Sequence, residues 1–191
     1  MDKTELLYDH YKETYALHSD MVKKRDAFFV MLCIGITLLF CFLLSPSEVF
    51  TSISEMAKDY FSLKLPFQFT IIQSFVWVII LHLFMRYMQT NIYIERQYKY
   101  IEKLEMGISQ SFQVTFSRES ANYENEYPLV LNAIHIIYVW VFPILSIIII
   151  ALKIYFEKIQ NINIIPFIFD SIIAIIIILL NIFYLSFLHK K

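Results

Sequence analysis

Residues 89–128, QTNIYIERQYKYIEKLEMGISQSFQVTFSRESANYENEYP, form the one long polar interval between two hydrophobic hairpins. Apolar runs flank it on both sides, Pro66 to Met85 before and Pro128 to Leu152 after. At about 1.5 Å per helical residue, either run is long enough to cross a hydrocarbon core of about 30 Å. Whatever this protein binds in water is expected to be read within this interval. The chain is 191 residues long and 58% hydrophobic, with a mean hydropathy of +0.58. A soluble domain of that size would have to hide more apolar surface than its interior holds. The composition predicts an all-α integral membrane protein, one membrane domain with small extramembrane parts.

Before the interval, residues 1–26 are polar yet periodic. Tyr8, Tyr11, Tyr15, His18 and Val22 recur at steps of three and four, which predicts a cytoplasmic amphipathic helix with a tyrosine-rich packing face. The apolar run starts only near Ala27, with no small-residue cleavage site after it, so a signal peptide is not expected. The first span is Ala27 to Leu44, entered from Lys23-Lys24-Arg25, a basic flank of the kind that stays in the cytoplasm. Ser45 to Leu65 is an outer loop in which Val49, Phe50, Ile53, Ala57 and Tyr60 predict a short surface helix. The second span, Pro66 to Met85, meets no glycine or proline before Gly107, so it is expected to run on into water as one helix.

Within the interval, Ile94, Tyr98, Ile101, Leu104 and Ile108 make a heptad-like stripe surrounded by Glu95, Arg96, Lys99, Glu102, Lys103 and Glu105. Such a stripe needs a partner helix, either the N-terminal one or that of a neighbouring copy. Gly107 is the expected C-cap, and the alternation of Phe112, Val114 and Phe116 predicts a short extended segment from Ser111 to Phe116. In the third span, Pro128 to Leu152, Pro143 should kink the helix. Lys153, Glu157 and Lys158 are read as an outer loop, and Pro166 to Leu188 as the fourth span, ending in His189-Lys190-Lys191.

On this layout twelve lysines and arginines lie inside, against Lys58, Lys64, Lys153 and Lys158 outside. The expectation is four transmembrane helices with both termini cytoplasmic: 27–88 as the first hairpin, 89–127 as a cytoplasmic helical segment and 128–191 as the second hairpin. Polar groups inside spans must find a partner or water. Asp170 is the only aspartate, glutamate, lysine or arginine well inside an expected span, and Ala174, Ile177, Asn181 and Tyr184 share its helix face. Asn132, His135 and Ser146 share a face of the third span, Thr70, Gln73 and Ser74 cluster in the second, and Cys33, Thr37 and Cys41 give the first a strip of small residues. Either these make interhelical hydrogen bonds and close packing, or Asp170, Asn181, Asn132, His135, Gln73 and Thr37 line a water-filled path.

No phosphate loop, CxxC pair, HExxH or nucleophile elbow is present, so neither an enzyme nor a cofactor or metal site is expected. The formal net charge of −1 gives no reason to expect duplex DNA as a partner. The expected partners are the lipid bilayer and further copies of the chain. Three function classes stay open: a ligand-gated pore, a scaffold or sensor that recruits a cytoplasmic protein, and a small transporter. The last lacks the pair of broken helices expected at a midplane substrate site.

The order of a helix ending in Lys23-Lys24-Arg25, paired spans, then Tyr100-Ile101-Glu102-Lys103-Leu104-Glu105 and Phe116-Ser117-Arg118-Glu119 between the hairpins resembles the small membrane effectors of bacterial anti-phage systems, the Hailong-type and SLATT-like group. The resemblance implies a multi-pass protein of the bacterial inner membrane that assembles as a homo-oligomer; a tetramer is expected because four bulky spans of one copy are too few to enclose a path and the Ile94 to Ile108 stripe invites a partner. It also implies a channel opened by a nucleotide or oligonucleotide signal from a partner synthase. Arg96, Lys99, Lys103 and Arg118 are the candidate contacts for such an anion, because phosphate affinity comes chiefly from lysine and arginine.

Overall fold

Between Lys3 and Leu44 the sequence holds no proline and a single glycine, Gly35. In the computed structural model, which describes residues 3–62, 69–113, 136–159 and 164–188, this stretch is one uninterrupted helix, α1 (Lys3–Leu44). The amphipathic segment and the first span are therefore continuous through Lys23-Lys24-Arg25. Pro46 opens α2 (Pro46–Phe61), the expected helix of the first loop, since a proline in the first turn gives up an N–H that has no partner there anyway. Ser62 ends it in the left-handed region (φ 54°), returning its N–H to the carbonyls of Ala57 and Lys58.

The second long helix, α3, runs from Phe69 to Phe112 without a break. Its 44 residues extend about 66 Å, twice a hydrocarbon core. Gly107 does not cap it: the helix passes through this residue without positive φ. The expected extended segment is corrected likewise, because Ser111 and Phe112 are helical and Gln113 is a left-handed turn residue (φ 52°). Residues 114–116 lie outside the described ones.

A π-helical turn, Ile137–Val141, precedes α4 (Phe142–Ile159). Pro143 explains it: the ring leaves the carbonyl four residues earlier without a donor and crowds it, and a widened turn relieves both. α4 runs past the expected end of the third span at Leu152, carrying Lys153 and Glu157 within the helix. These residues are thus not an outer loop. α5 (Ile164–Leu188) is the last helix.

α1, α3 and α5 are long and apolar enough to cross a membrane. α4 reaches about 27 Å, but its 18 residues include Lys153, Glu157 and Lys158. The helices thus support a membrane protein with three qualifying spans, and a fourth does not follow from length and composition. Isoleucines 168, 172, 175 and 182 on α5 and Val30, Ile34, Phe75 and Ile79 on α1 and α3 are exposed, as lipid-facing side chains are.

The chain divides into two compact units, Met1–Phe29 with Arg86–Ile136, and Val30–Met85 with Ile137–Lys191. α1 and α3 each supply residues to both. In the first unit the stripe on α3 finds its partner in the same chain: Ile101, Leu104 and Ile108 pack with Tyr11 and Leu7 of α1. The stripe is therefore no argument for a second copy. The expected packing face of α1 holds at Tyr11 and His18, which are buried, with Thr14 buried beside them and Tyr8 exposed. Glu105, expected to be one of the surrounding charges, is buried and accepts a hydrogen bond from Tyr11 Oη at 3.1 Å. In the second unit Leu32, Ile36, Leu39 and Phe42 of α1 and Val76, Trp77, Ile80 and Phe84 of α3 are buried. Thr37 and Cys41 are exposed, so the predicted strip of small residues is not the packing face. Gly35 is on the packing side, where an added Cβ would meet Ile80 Cγ1 at 3.0 Å.

Candidate functional site in the membrane unit

On α5, Asp170, Ile173, Ala174, Ile177, Asn181 and Tyr184 are all buried, at the spacing that puts them on one helix face. The predicted line through Asp170, Ala174, Ile177, Asn181 and Tyr184 is thus the inward face of this helix. On α4 the inward face is Phe142, Pro143, Ser146, Ile150, Lys153 and Glu157. Its apolar half continues without a change of phase into two charges four residues apart. Lys153 and Glu157 are only 2% and 1% exposed, and Lys153 Nζ lies 2.9 Å from Glu157 Oε1.

α3 supplies the link to α5. Gln73, 1% exposed, donates from Nε2 to Glu157 Oε1 and, at 3.4 Å, to Asp170 Oδ2. Ser74 lies beside the Asp170 carboxylate, where it interacts electrostatically without closing a well-formed hydrogen bond. One amide thus bridges two carboxylates, one of which already holds an ammonium. Gln73 is four residues into α3, Asp170 six into α5 and Glu157 two from the end of α4, so the cluster sits within about two turns of each helix end.

Burying these groups is costly. An ionised Asp, Lys or Arg near the centre of a membrane helix weighs about 2.5–3.5 kcal/mol against insertion, and removing a charge pair from water costs several kcal/mol per ion unless geometry and further hydrogen bonds offset it. Here the offset is incomplete. Gln73 Oε1, Glu157 Oε2 and Asp170 Oδ1 are buried with no hydrogen-bond partner among the described residues, as are the hydroxyls of Thr70, Ser74 and Ser171. Ionisable residues held inside a membrane bundle commonly mark ion pathways.

The other predicted path residues fare differently. Asn181 is fully buried, its Nδ2 donating to the Ile177 carbonyl at 3.0 Å. Thr37 is exposed and donates to the carbonyl of Cys33. Asn132 and His135 lie outside the described residues. Lys153 and Glu157 are the members that reading the sequence missed. The signal was present, since Phe142, Ser146, Ile150, Lys153 and Glu157 keep helical steps and no glycine or proline intervenes between Pro143 and Pro166.

In the first unit, Arg96, Lys99 and Lys103 are exposed and share one face of α3, while Arg118 lies outside the described residues. Arg96 also lines an open cleft of about 530 Å³ with Gln89, Ile92, Tyr93, Gln97 and Tyr100. Tyr100 Oη is tied to His10 Nε2 of α1 at 2.7 Å. Of the basic triplet, Lys24 pairs with Asp20 at 2.6 Å and Arg25 with Asp26 at 2.8 Å. Among the described residues no group of three or more His, Cys, Asp and Glu is arranged to hold a metal ion.

No family model matches this chain, and comparison with curated proteins and with solved structures finds none similar to it. The class is therefore argued from the helices and the buried charges alone: an all-helical protein suited to a membrane, with an ion-pair and acid cluster inside its apolar unit.

Proposed function

We propose that this chain is an ion-translocating membrane effector whose ion path is internal to each copy. The observation that carries this reading is the enclosure of Gln73, Lys153, Glu157 and Asp170 by three helices of one chain. A pore between copies would instead call for polar residues on an outward face, and among the described candidates only Thr37 is there. The layout resemblance adds the rest of the proposal. The protein would work as a homo-oligomer, with a tetramer as the assembly to test, and would disrupt the bacterial inner membrane in anti-phage defence when an anionic nucleotide meets Arg96, Lys99, Lys103 and Arg118. α3 carries the first three of these residues as well as Gln73, which supports coupling along one helix. A ligand can shift that equilibrium only by its differential affinity for the two states.

A second reading, a non-conducting scaffold or sensor, is favoured by the same exposed basic face. Flux separates the two. Purified protein in liposomes under a cation gradient should dissipate the gradient, and Asp170→Asn and Gln73→Leu should each lower the rate at least tenfold. In cells, replacing Arg96, Lys99, Lys103 and Arg118 together with glutamine should abolish signal-dependent toxicity while leaving expression intact. Vesicles no leakier than protein-free ones would leave the scaffold reading in place.

A further inference from the structure

Among the described residues the membrane cluster is one positive charge short. Ionised, it holds the Lys153 ammonium against the Glu157 and Asp170 carboxylates, and the ammonium is committed to Glu157 Oε1 at 2.9 Å. Among the described residues Asp170 has no cation of its own: Lys153 acts on it only from its place beside Glu157, and its near partners are the Gln73 amide at 3.4 Å and the Ser74 hydroxyl. At about 1% exposure it is removed from the water that would otherwise solvate its charge. Three side chains that are each 1% exposed, Gln73, Glu157 and Asp170, carry an oxygen that accepts from no donor among the described residues. All three are tied to one another through the Gln73 amide, so these oxygens belong to one site.

We infer that the cluster binds one further monovalent cation at the Asp170 carboxylate. The chemistry required is a single unit charge that satisfies oxygen acceptors. A divalent ion would over-compensate and would compete with the Lys153 ammonium for Glu157. A proton and an alkali cation share the required chemistry, the first by supplying one O–H donor, the second by accepting several oxygens. The charged groups that face Asp170 are Glu157 and Lys153, both from α4, while α3 contributes the uncharged Gln73 and Ser74. Occupancy is therefore governed by this cluster, and Lys153 tunes it by repelling a second cation.

This inference rests on reading the cluster as an ion site, and its test measures binding in detergent, so it can succeed or fail independently of flux. Trp77, fully buried and one helical turn from Gln73, reports unfolding of this unit by its fluorescence. In one arm sodium is raised at fixed pH, with choline holding ionic strength constant. In the other arm pH is lowered at fixed sodium. A ligand bound more tightly by the folded than by the unfolded state stabilises it as its concentration rises, and for the proton, which an unfolded carboxylate also binds, it is this difference that acts, so the unfolding midpoint of the wild-type protein should rise with each tenfold step in one arm. The arm that responds names the cation. Asp170→Asn, which keeps shape and removes the charge, should lose the response. Lys153→Gln should enlarge it, since two carboxylates are then left without their ammonium, and this variant decides the matter if Asp170→Asn does not assemble. A wild-type protein indifferent in both arms, an Asp170→Asn protein that responds as wild type does, or a Lys153→Gln response no larger than that of wild type would overturn the inference.

Discussion

The two glycines are alike in sequence context, each inside a long helix, yet the space around them differs. At Gly107 an added Cβ would meet Leu7 Cδ2 at 3.7 Å, an ordinary contact. Alanine there removes the backbone-entropy penalty of a mid-helix glycine, and Gly107→Ala should stabilise the first unit by about 0.5–1 kcal/mol. At Gly35 the Cβ would sit 3.0 Å from Ile80 Cγ1, so the fully buried Ile80 side chain would have to shift by a few tenths of an ångström to admit it. Gly35→Ala should lower the unfolding midpoint, and adding it to Ile80→Ala should cost little more than Ile80→Ala alone, because the obstructing atoms are then gone. Thermal unfolding of the four variants checks both statements, and additive costs at Gly35 and Ile80 would show that the close approach is not what fixes the glycine. At this scale the sequence was half legible. Asp170 stood out as a lone acid in an apolar run. Lys153 and Glu157 did not, because a charge after a long apolar stretch is ordinarily where a span ends, and that expectation outweighed the helical steps that place both on the face of Phe142, Ser146 and Ile150.

The helices were more legible than their ends. The absence of breakers from Phe69 onward predicted a continuous α3, and the apolar stripe from Ile94 to Ile108 marked its packing face, because both properties are written in local spacing. Gly107 misled for a physical reason: glycine permits a left-handed cap but does not impose one, and the helix runs on to Phe112, where Gln113 takes the left-handed conformation instead. On α1 the expected stripe holds at Tyr11 and His18, but its edge is misplaced: Leu7 and Thr14 pack inward, while Tyr8 is exposed and Tyr15 only half-buried. Periodicity gives a face; which edge of it is buried depends on the partner. Tyr11 and Glu105 carry that partnership, through a buried hydrogen bond of 3.1 Å between α1 and α3. A hydrogen bond to a charged group contributes about 1.5–3 kcal/mol. Tyr11→Phe and Glu105→Gln should each destabilise the pair, and the double variant should lose less than the sum of the two by about 1 kcal/mol or more. A double variant equal to the sum would mean the two side chains act separately.

For the whole molecule the open quantity is how many times the chain crosses, and the polar cluster bears on it directly. The lysine and arginine asymmetry survives the loss of Lys153 as an outside marker, leaving Lys58, Lys64 and Lys158 on that side. α4 is too charged to qualify as a span on composition alone. Yet Gln73, at the start of α3, is bonded to Glu157 at the end of α4 and to Asp170 near the start of α5. The end of α4 therefore lies level with the beginning of α3, and the two helices run antiparallel through the same apolar unit. If α3 enters the membrane from outside, as the lysine and arginine asymmetry predicts, α4 is expected to exit there, its charges offset by the ion pair of Lys153 with Glu157 in the interior and by the exposure of Lys158. The expectation is four crossings with Lys158 on the same side as Lys58 and opposite Lys99. With Cys33 and Cys41 replaced by serine, single cysteines at positions 58, 99 and 158 can be labelled by a membrane-impermeant maleimide. Positions 58 and 158 should react in intact cells and position 99 only after permeabilisation. Labelling of 158 with 99 rather than with 58 would reduce the chain to three crossings and move the cluster to the opposite face of the membrane from the start of α3, an arrangement that the Gln73 hydrogen bonds do not permit.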